Sequence, residues 1–389
     1  MALSGVSFFT DVSTEMIYPL LPLFLSTVLG ASASFIGVIE GAAESTAALL
    51  KLASGWWSDK TKKRKPFVVL GYGIATFVRP FTAIAQTATQ VLGIRLADRV
   101  GKGIRSSARD ALLADSAEPS MRGKAFGFHA SADNAGAVIG PLAAFALLRW
   151  GHLTLRQVFG WAAVPGIVAF IVLVVAVKDV ERPAESPADK TITDSGAARL
   201  GGRFWSYLTV VLLFTLGNST DAFLLLRANQ LGVAIAFAPI LWALLNLSKT
   251  ALGTWGGSLS DRLGRKPLII SGWLVYAAVY FAFGRATAAW HAWALFAAYG
   301  LFYAMTEGTE KAFVADLVPR TRRGAAFGWY NLAIGLGALP ASLIFGYIWD
   351  KSGSQTAFMF GAGLALLAAV GMLLVPAPPA ASPVTTQPG

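Results

Sequence analysis

Charged side chains crowd one short stretch, RLADRVGKGIRSSARD (95–110), which carries Arg95, Asp98, Arg99, Lys102, Arg105, Arg109 and Asp110. On a helix, at about 100° per residue, they fall within an arc of roughly 140°. Leu96, Val100, Ile104, Ala108 and Ala111 take the other side. A guanidinium fork grips carboxylate or phosphate at two points. Arg99, Lys102 and Arg105 therefore suit an anionic or zwitterionic solute. Acids recur at helical spacing elsewhere. Asp11 and Glu15 stand one turn apart, with Ser7 and Tyr18 on the same face. Glu40, Glu44 and Lys51 share another face, and His129 and Asp133 a third. Burial raises a carboxyl pKa and a nearby cation lowers it, so an acid alternating between the two takes up and releases a proton. Asp11, Glu15, Glu44 and Asp133 are the candidates for proton coupling, with His129 a candidate relay. The second half adds Asp221, Asn246, Lys249, Glu307, Glu310 and Lys311. Of these, Asp221, Asn246, Lys249 and Glu307 join Tyr18, Arg99, Lys102 and Arg105 as candidate solute ligands.

The elements that must hold these groups are membrane spans. The chain has 389 residues, 55% of them apolar and only 14% charged; a soluble domain has about 25% charged. Stretches of roughly 20 apolar residues, enough to cross a bilayer, recur throughout. They predict spans near 4–29, 33–57, 66–86, 89–114, 122–149, 155–177, 204–230, 235–259, 267–287, 290–315, 323–349 and 355–376. Hydropathy alone scores the fourth poorly, but consistent topology requires it. Facing lipid, each of its central charges would cost about 2.5–3.5 kcal/mol. The cationic face must therefore turn into the bundle or a watery cavity. Pro19 and Pro22 are expected to kink the first span.

Lysine and arginine in the short loops set the orientation. One side carries Lys60, Lys62, Lys63, Arg64, Lys65, Arg122, Lys124, Arg262, Arg265, Lys266, Arg320, Arg322 and Arg323. The other has only Arg149, Arg156, Arg285 and Lys351. The basic side is expected to be cytoplasmic, with both termini inside and the protein in the cell (inner) membrane. This distribution accounts for the net charge of +11 without nucleic acid as a partner. The first apolar segment begins almost at Met1 and carries Asp11 and Glu15, so it predicts a retained helix rather than a cleaved signal. Cysteine is absent, which excludes disulfides and thiolate chemistry. The few histidines lie far apart. No metal, cofactor or nucleotide loop is expected, and no enzyme. The expected partners are the bilayer, a small solute and protons, with the chain a monomer.

The two halves repeat. SDKTKKRKP (58–66) matches SDRLGRKP (260–267), RGKAFGF (122–128) matches RGAAFGW (323–329), and ALLADS (111–116) matches AFVADL (312–317) at the same offset. STE (13–15) stands opposite STD (219–221). Residues 1–178 and 203–376 are thus predicted as two pseudo-symmetric six-helix bundles. A polar cytosolic linker (179–202) joins them, and a tail (377–389) too poor in bulky apolar residues to pack comes last. A duplicated bundle of this kind places a substrate site between its halves, near the midplane.

These motifs resemble the major facilitator superfamily along nearly the whole chain. Its loop signature G-x-x-x-D-[RK]-x-G-[RK]-[RK] is complete as GSLSDRLGRK, Gly257 to Lys266. It is present with one inserted residue, and Lys62 in place of the glycine, as GWWSDKTKKR from Gly55. The resemblance implies gating roles for Asp59, Arg64, Asp261 and Arg265, with Asp115 and Asp316 beside the same loops. Arg99-Val-Gly-Lys102-Gly103 resembles the family's R-x-x-Q-G motif with lysine in place of glutamine. GAVIGP, Gly136 to Pro141, resembles the G-x-x-x-G-P motif of drug:proton antiporters, and adds Gly136, Gly140 and Pro141 to the gating set. The resemblance implies an all-α protein of 12 transmembrane helices that works by alternating access. It is expected to be a proton-coupled secondary transporter of a small polar, anionic or zwitterionic solute, with export favoured. The alternatives are an uptake symporter or facilitative carrier, and a non-transporting receptor or assembly partner on the same fold.

Overall fold

The computed structural model describes residues 1–60, 64–116, 122–177, 200–319 and 322–376. Within these, the side chains at 55, 56, 58–60, 114, 115, 122–125, 254, 257 and 261 are not described. Asp59, Asp115 and Asp261 therefore lie outside the described side chains, and the tail and most of the linker lie outside the described residues.

Among the described residues the chain is helical and has no strand. The first half contains α1 (Ala2–Ile17), α2 (Leu21–Thr27), α3 (Ala33–Lys60), α4 (Lys65–Val78), α5 (Ala88–Asp115), α6 (Arg122–Arg149), α7 (Leu155–Trp161) and α8 (Ala163–Ala176). The second contains α9 (Gly202–Gly217), α10 (Ala222–Gln230), α11 (Ala238–Leu263), α12 (Arg265–Arg285), α13 (Ala289–Leu317) and α14 (Arg323–Leu374). Gly353, at φ 84°, breaks α14 into two arms. A side chain would strain that backbone, so the glycine lets one run of chain cross the membrane twice.

Among the described residues, eight helical segments are long and apolar enough to cross a membrane by themselves. Counting both arms of α14 and adding α1–α2, α5 and α13 completes twelve spans in two bundles of six. The three added spans fail the apolarity test for separate reasons. The first carries Asp11 and Glu15 among several serines and threonines. The fourth carries the charged stripe. The tenth bears Glu307, Glu310, Lys311 and Asp316 in its second half. Exposed apolar side chains such as Phe77, Ile84, Val175 and Leu374 cover the outside, as lipid requires.

The seventh span, expected near 204–230, crosses as expected but is built of two helices, α9 and α10. The chain leaves helix at Asn218, ψ 83°. A run of Asn-Ser-Thr-Asp explains the break, because short polar side chains compete for backbone hydrogen bonds. The break mirrors the one between α1 and α2. Beyond the two breaks, α2 and α10 pack together across the halves. Leu21, Phe24 and Leu25 meet Phe223, Leu224 and Leu225 in one apolar cluster, each with no exposed surface.

That cluster closes the end of the bundle away from the basic loops. Two further seams reinforce it, α3 against α14 and α6 against α11. On the first, Asp350 accepts hydrogen bonds from the Ala33 and Ser34 amides at 3.0 and 2.8 Å. It thereby caps α3 from the opposite half and satisfies amides that a helix start leaves free. On the second, Phe145 and Phe237 meet at 5.6 Å between ring centroids. The closed end and the open cavity below it define a single conformation of the two halves.

Candidate functional site

Helix α5 carries the site. Its start is fixed by a reciprocal cap: the Gln90 amide donates to the Thr87 hydroxyl at 3.2 Å, and the Thr87 amide to Gln90 Oε1 at 3.2 Å. The cap sets the register, and register decides which face turns inward. The expected stripe does turn inward. Arg95, Asp98, Arg99 and Arg105 are all buried, and Lys102, Arg109 and Asp110 partly so.

Part of the stripe is neutralised in place. Arg95 holds Glu40 of α3 with two bonds, 2.6 and 3.1 Å. Arg99 pairs with Glu44 at 3.0 Å. Asp98 is held by Arg79 at 2.7 Å, and Arg79 also reaches the Thr10 carbonyl at 3.4 Å. Arg109 bonds Asp110 at 2.9 Å and the Ser7 hydroxyl at 3.2 Å. Buried pairs of this kind seldom add much stability, but breaking one leaves an uncompensated charge. Together they let a polar helix sit among apolar ones.

Between the halves lies a cavity of about 380 Å³ lined by Asp11, Thr14, Glu15, Tyr18, Glu44, Arg79, Arg99, Lys102, Arg105, Asp221, Trp242 and Lys249. It adjoins a wider chamber of about 630 Å³ that shares Tyr18, Glu44, Lys102 and Asp221 and extends past Lys51, Ser107 and Asn331. Exposed side chains at Lys51 and Asn331, with the half-buried Ser107, mark its mouth toward the basic loops.

Of the sequence-predicted ligands, Asp11, Glu15, Tyr18, Glu44, Arg99, Lys102, Arg105, Asp221 and Lys249 meet in this cavity. Asp133, Asn246 and Glu307 lie off its wall. Asp133 faces His129 at 3.7 Å on α6. Asn246 donates to the Ala137 carbonyl at 3.4 Å, across the α6–α11 seam. Glu307 lines a neighbouring pocket with Lys249 and Tyr303. Glu310 is buried away from the cavity, accepting from Trp273 at 2.8 Å and Tyr330 at 2.6 Å. Of the gating residues, Arg265 pairs with Asp316 at 2.7 Å, and Arg64 is buried.

Gly136 and Gly140 form the face on which α1 rests. A methyl on Gly136 would stand 2.9 Å from the Asp11 Cβ, and one on Gly140 2.9 Å from the Glu15 Cβ and 2.7 Å from the Val12 carbonyl. The two glycines therefore set the position of the two α1 acids. Pro141 sits inside α6 just beyond them.

Two features of the site escaped the sequence, and a third, Trp242, was legible there only as an aromatic that could line the cavity, without its bond to Glu15. Arg79 is distant in sequence from its partner, and lies outside the charged stripe. Trp242 of α11 donates its indole N–H to Glu15 Oε2 at 2.6 Å, joining the two halves at the cavity wall. The break at 218–221 turns Asp221 toward Tyr299 and Tyr303, which donate to it at 3.0 and 2.8 Å. The only prior signal was the STE/STD correspondence, which pairs Glu15 with Asp221. Each of these acids is held by neutral donors rather than by a cation.

Two bundles of six helices, closed at one end around a charged cavity at their interface, define a multi-pass membrane transporter. The chain belongs to the major facilitator superfamily: the family model described as Major Facilitator Superfamily matches residues 3–305 and 222–388. It is 34% identical over 380 residues to the uncharacterized MFS-type transporter MJ1317 of Methanocaldococcus jannaschii, covering 96% of this chain and 94% of that one. A shorter likeness, 31% over 116 residues, links 30% of the chain to 29% of the multidrug resistance protein MdtH of Cronobacter sakazakii. In fold it is similar to the nucleoside transporter NupG, with a TM-score of 0.79 at 13% identity, covering 96% of this chain and 98% of that one.

Proposed function

We propose that this transporter is a proton-coupled carrier of a small polar solute of anionic or zwitterionic character, and that it works as an exporter. One observation carries the reading. In the cavity, Asp11, Glu15 and Asp221 face Lys102, Arg105 and Lys249 with no ion pair among these six in the described residues. Charge at membrane depth is costly unless it serves a substrate or proton path. The neighbouring pairs Arg95–Glu40, Arg99–Glu44 and Arg79–Asp98 already meet the structural need.

The geometry of one closed end and one open cavity supports an alternating-access reading. The seal of α2, α10 and the α3–α14 seam must part to expose the cavity to the other side. With the basic loops in the cytoplasm, the present conformation faces inward. GAVIGP and the partial likeness to MdtH support export. The test is flux in proteoliposomes with a pH indicator sealed inside. Solute and protons crossing in opposite directions is the expected result. Movement in the same direction overturns antiport, and solute movement without proton movement overturns coupling.

A further inference from the structure

The way charges are satisfied in the cavity narrows the solute. The cations and acids fall into two groups. Arg95, Arg99 and Arg79 are matched by Glu40, Glu44 and Asp98 within 3.0 Å. What remains is Lys102, Arg105 and Lys249 on one side of the count and Asp11, Glu15 and Asp221 on the other, and four of these six rest on neutral or aromatic groups. Arg105 lies over the Tyr72 ring at 4.3 Å, and Lys249 over the Tyr303 ring at 3.9 Å. Glu15 takes the Trp242 indole N–H, and Asp221 takes two tyrosine hydroxyls.

Arg105 adds an independent sign of a ligand. Its side chain lines the cavity and is more than nine-tenths buried, yet its Nη1 has no hydrogen-bond partner. A buried guanidinium nitrogen left without an acceptor costs free energy, and a turn of this side chain toward the cavity it lines would let an incoming carboxylate or phosphate supply the missing acceptor. Elsewhere on the lining, Glu15 bonds through Oε2 beside the Tyr18–Trp242 ring pair, whose centroids are 4.8 Å apart. A carboxylate next to aromatic faces suits an ammonium group.

We propose that the cavity takes a zwitterion, with its anionic end on Lys102 and Arg105 and its ammonium end at Glu15, where it replaces a proton. This rests on the transport reading above and adds the solute's charge class and the place where exchange occurs. A pure anion would lie among Asp11, Glu15 and Asp221 and would bind together with protons. A pure cation would meet Lys102, Arg105 and Lys249. The zwitterion satisfies both sets, and because its ammonium and the proton occupy one carboxylate in turn, it gives exchange of opposite sense. Competition of this kind is reciprocal: the solute weakens proton binding by the factor by which protons weaken solute binding.

The groups facing Glu15 come from every neighbouring element. Asp11 is on its own helix, and α3 contributes Glu44. Arg99, Lys102 and Arg105 come from α5. Asp221 precedes α10, and Trp242 and Lys249 are on α11. From α6 comes Gly140, with Asp133 nearer the basic loops.

The test uses the full chain in detergent and a panel built in trios: amino acids and dipeptides, their N-acetyl anions and their amide cations. Thermal stabilisation reports binding, and pH in weak buffer reports protons. The expected result is stabilisation by zwitterions, at least tenfold weaker binding of both single-charge derivatives, and proton release on binding. In Glu15→Gln, residual binding should occur without proton release. Arg105→Ala should lose preference for the free carboxylate over its amide. The unliganded melting temperature of each variant shows that it is folded, and Glu15→Asp serves as a conservative second variant. Proton uptake on binding, anions that bind as tightly as their parents, or no stabilisation by any zwitterion overturns the proposal. Anion binding with proton uptake would sink only the zwitterion and leave proton-coupled transport standing. Absence of both solute and proton flux in the vesicle assay would sink the transport reading itself, and solute flux without proton flux would sink its proton coupling.

Discussion

Trp242→Phe isolates the bond that joins the two halves at the cavity. Phenylalanine keeps a ring beside Tyr18 but removes the N–H that Glu15 accepts at 2.6 Å. Measured at a pH where Glu15 has given up its proton, the bond is to a charged group and is worth about 1.5–3 kcal/mol. Glu15 stands on α1 and Trp242 on α11, so the bond favours the conformation in which the halves are closed at the far end. Its loss should shift the balance toward the alternative conformation by about 10- to 150-fold. The chain has no cysteine, so a single reporter thiol can be read without background. Ser342→Cys is a suitable site. Ser342 is buried where the α3–α14 seam closes the inner end of the wider chamber, and its carbonyl lies against Gly37. The assay is the rate of maleimide labelling in open membrane fragments, where both faces are accessible. The expected result is labelling at least tenfold faster in Trp242→Phe/Ser342→Cys than in Ser342→Cys alone. Rates equal within a factor of two would refute the claim that this bond helps to hold the far end shut.

Three further outcomes can be measured. Gly140→Ala should drive α1 away by several tenths of an ångström, since the new methyl would stand 2.7 Å from the Val12 carbonyl. Overpacking costs about 1–3 kcal/mol, so a lower melting temperature and reduced solute flux are expected, and an unchanged melting temperature would contradict the seam. Arg95→Ala strands the buried Glu40 and should cost about 3–5 kcal/mol, whereas Arg95→Met with Glu40→Leu should recover most of it; denaturation in detergent distinguishes the two. At Asp350, burial pushes the carboxyl up, but bonds from Ser34 and Ala33 outweigh it and hold the pKa below the ordinary value of 3.8. Its contribution to closure is therefore present above that ordinary value and lost as the pH falls through the depressed one. Asp350→Asn, which weakens an exposed cap by about 0.5–1 kcal/mol, should raise the Ser342→Cys labelling rate a few-fold at pH 7 and leave less acid-dependent change below pH 4.

The architecture was legible because it is written in local patterns. Apolar length marks spans, loop lysines and arginines mark ends, and the repeat of SDKTKKRKP as SDRLGRKP marks two halves. The inward turn of α5 was legible for the same reason, since lipid cannot solvate Arg99 or Arg105. The helix break at 218–221 was harder. Asn-Ser-Thr-Asp lies inside an apolar run long enough to span, and a hydropathy window averages the four residues away.

By itself, then, the sequence determined the class, the twelve crossings, the pseudo-symmetry and the face of the charged helix, because each depends on residue type at fixed local spacing. Only the tertiary structure decided which charges cancel. Arg79 finds Asp98, and Arg95 finds Glu40 rather than Glu44, through helix contacts that no periodicity encodes. It also decided that Gly136 and Gly140 bear directly on Asp11 and Glu15, and that Trp242 reaches Glu15 from the opposite half. The physical reason is range. Hydropathy and helical phase act over a few residues, whereas ion pairing and close packing depend on distances that exist only once the two halves have met.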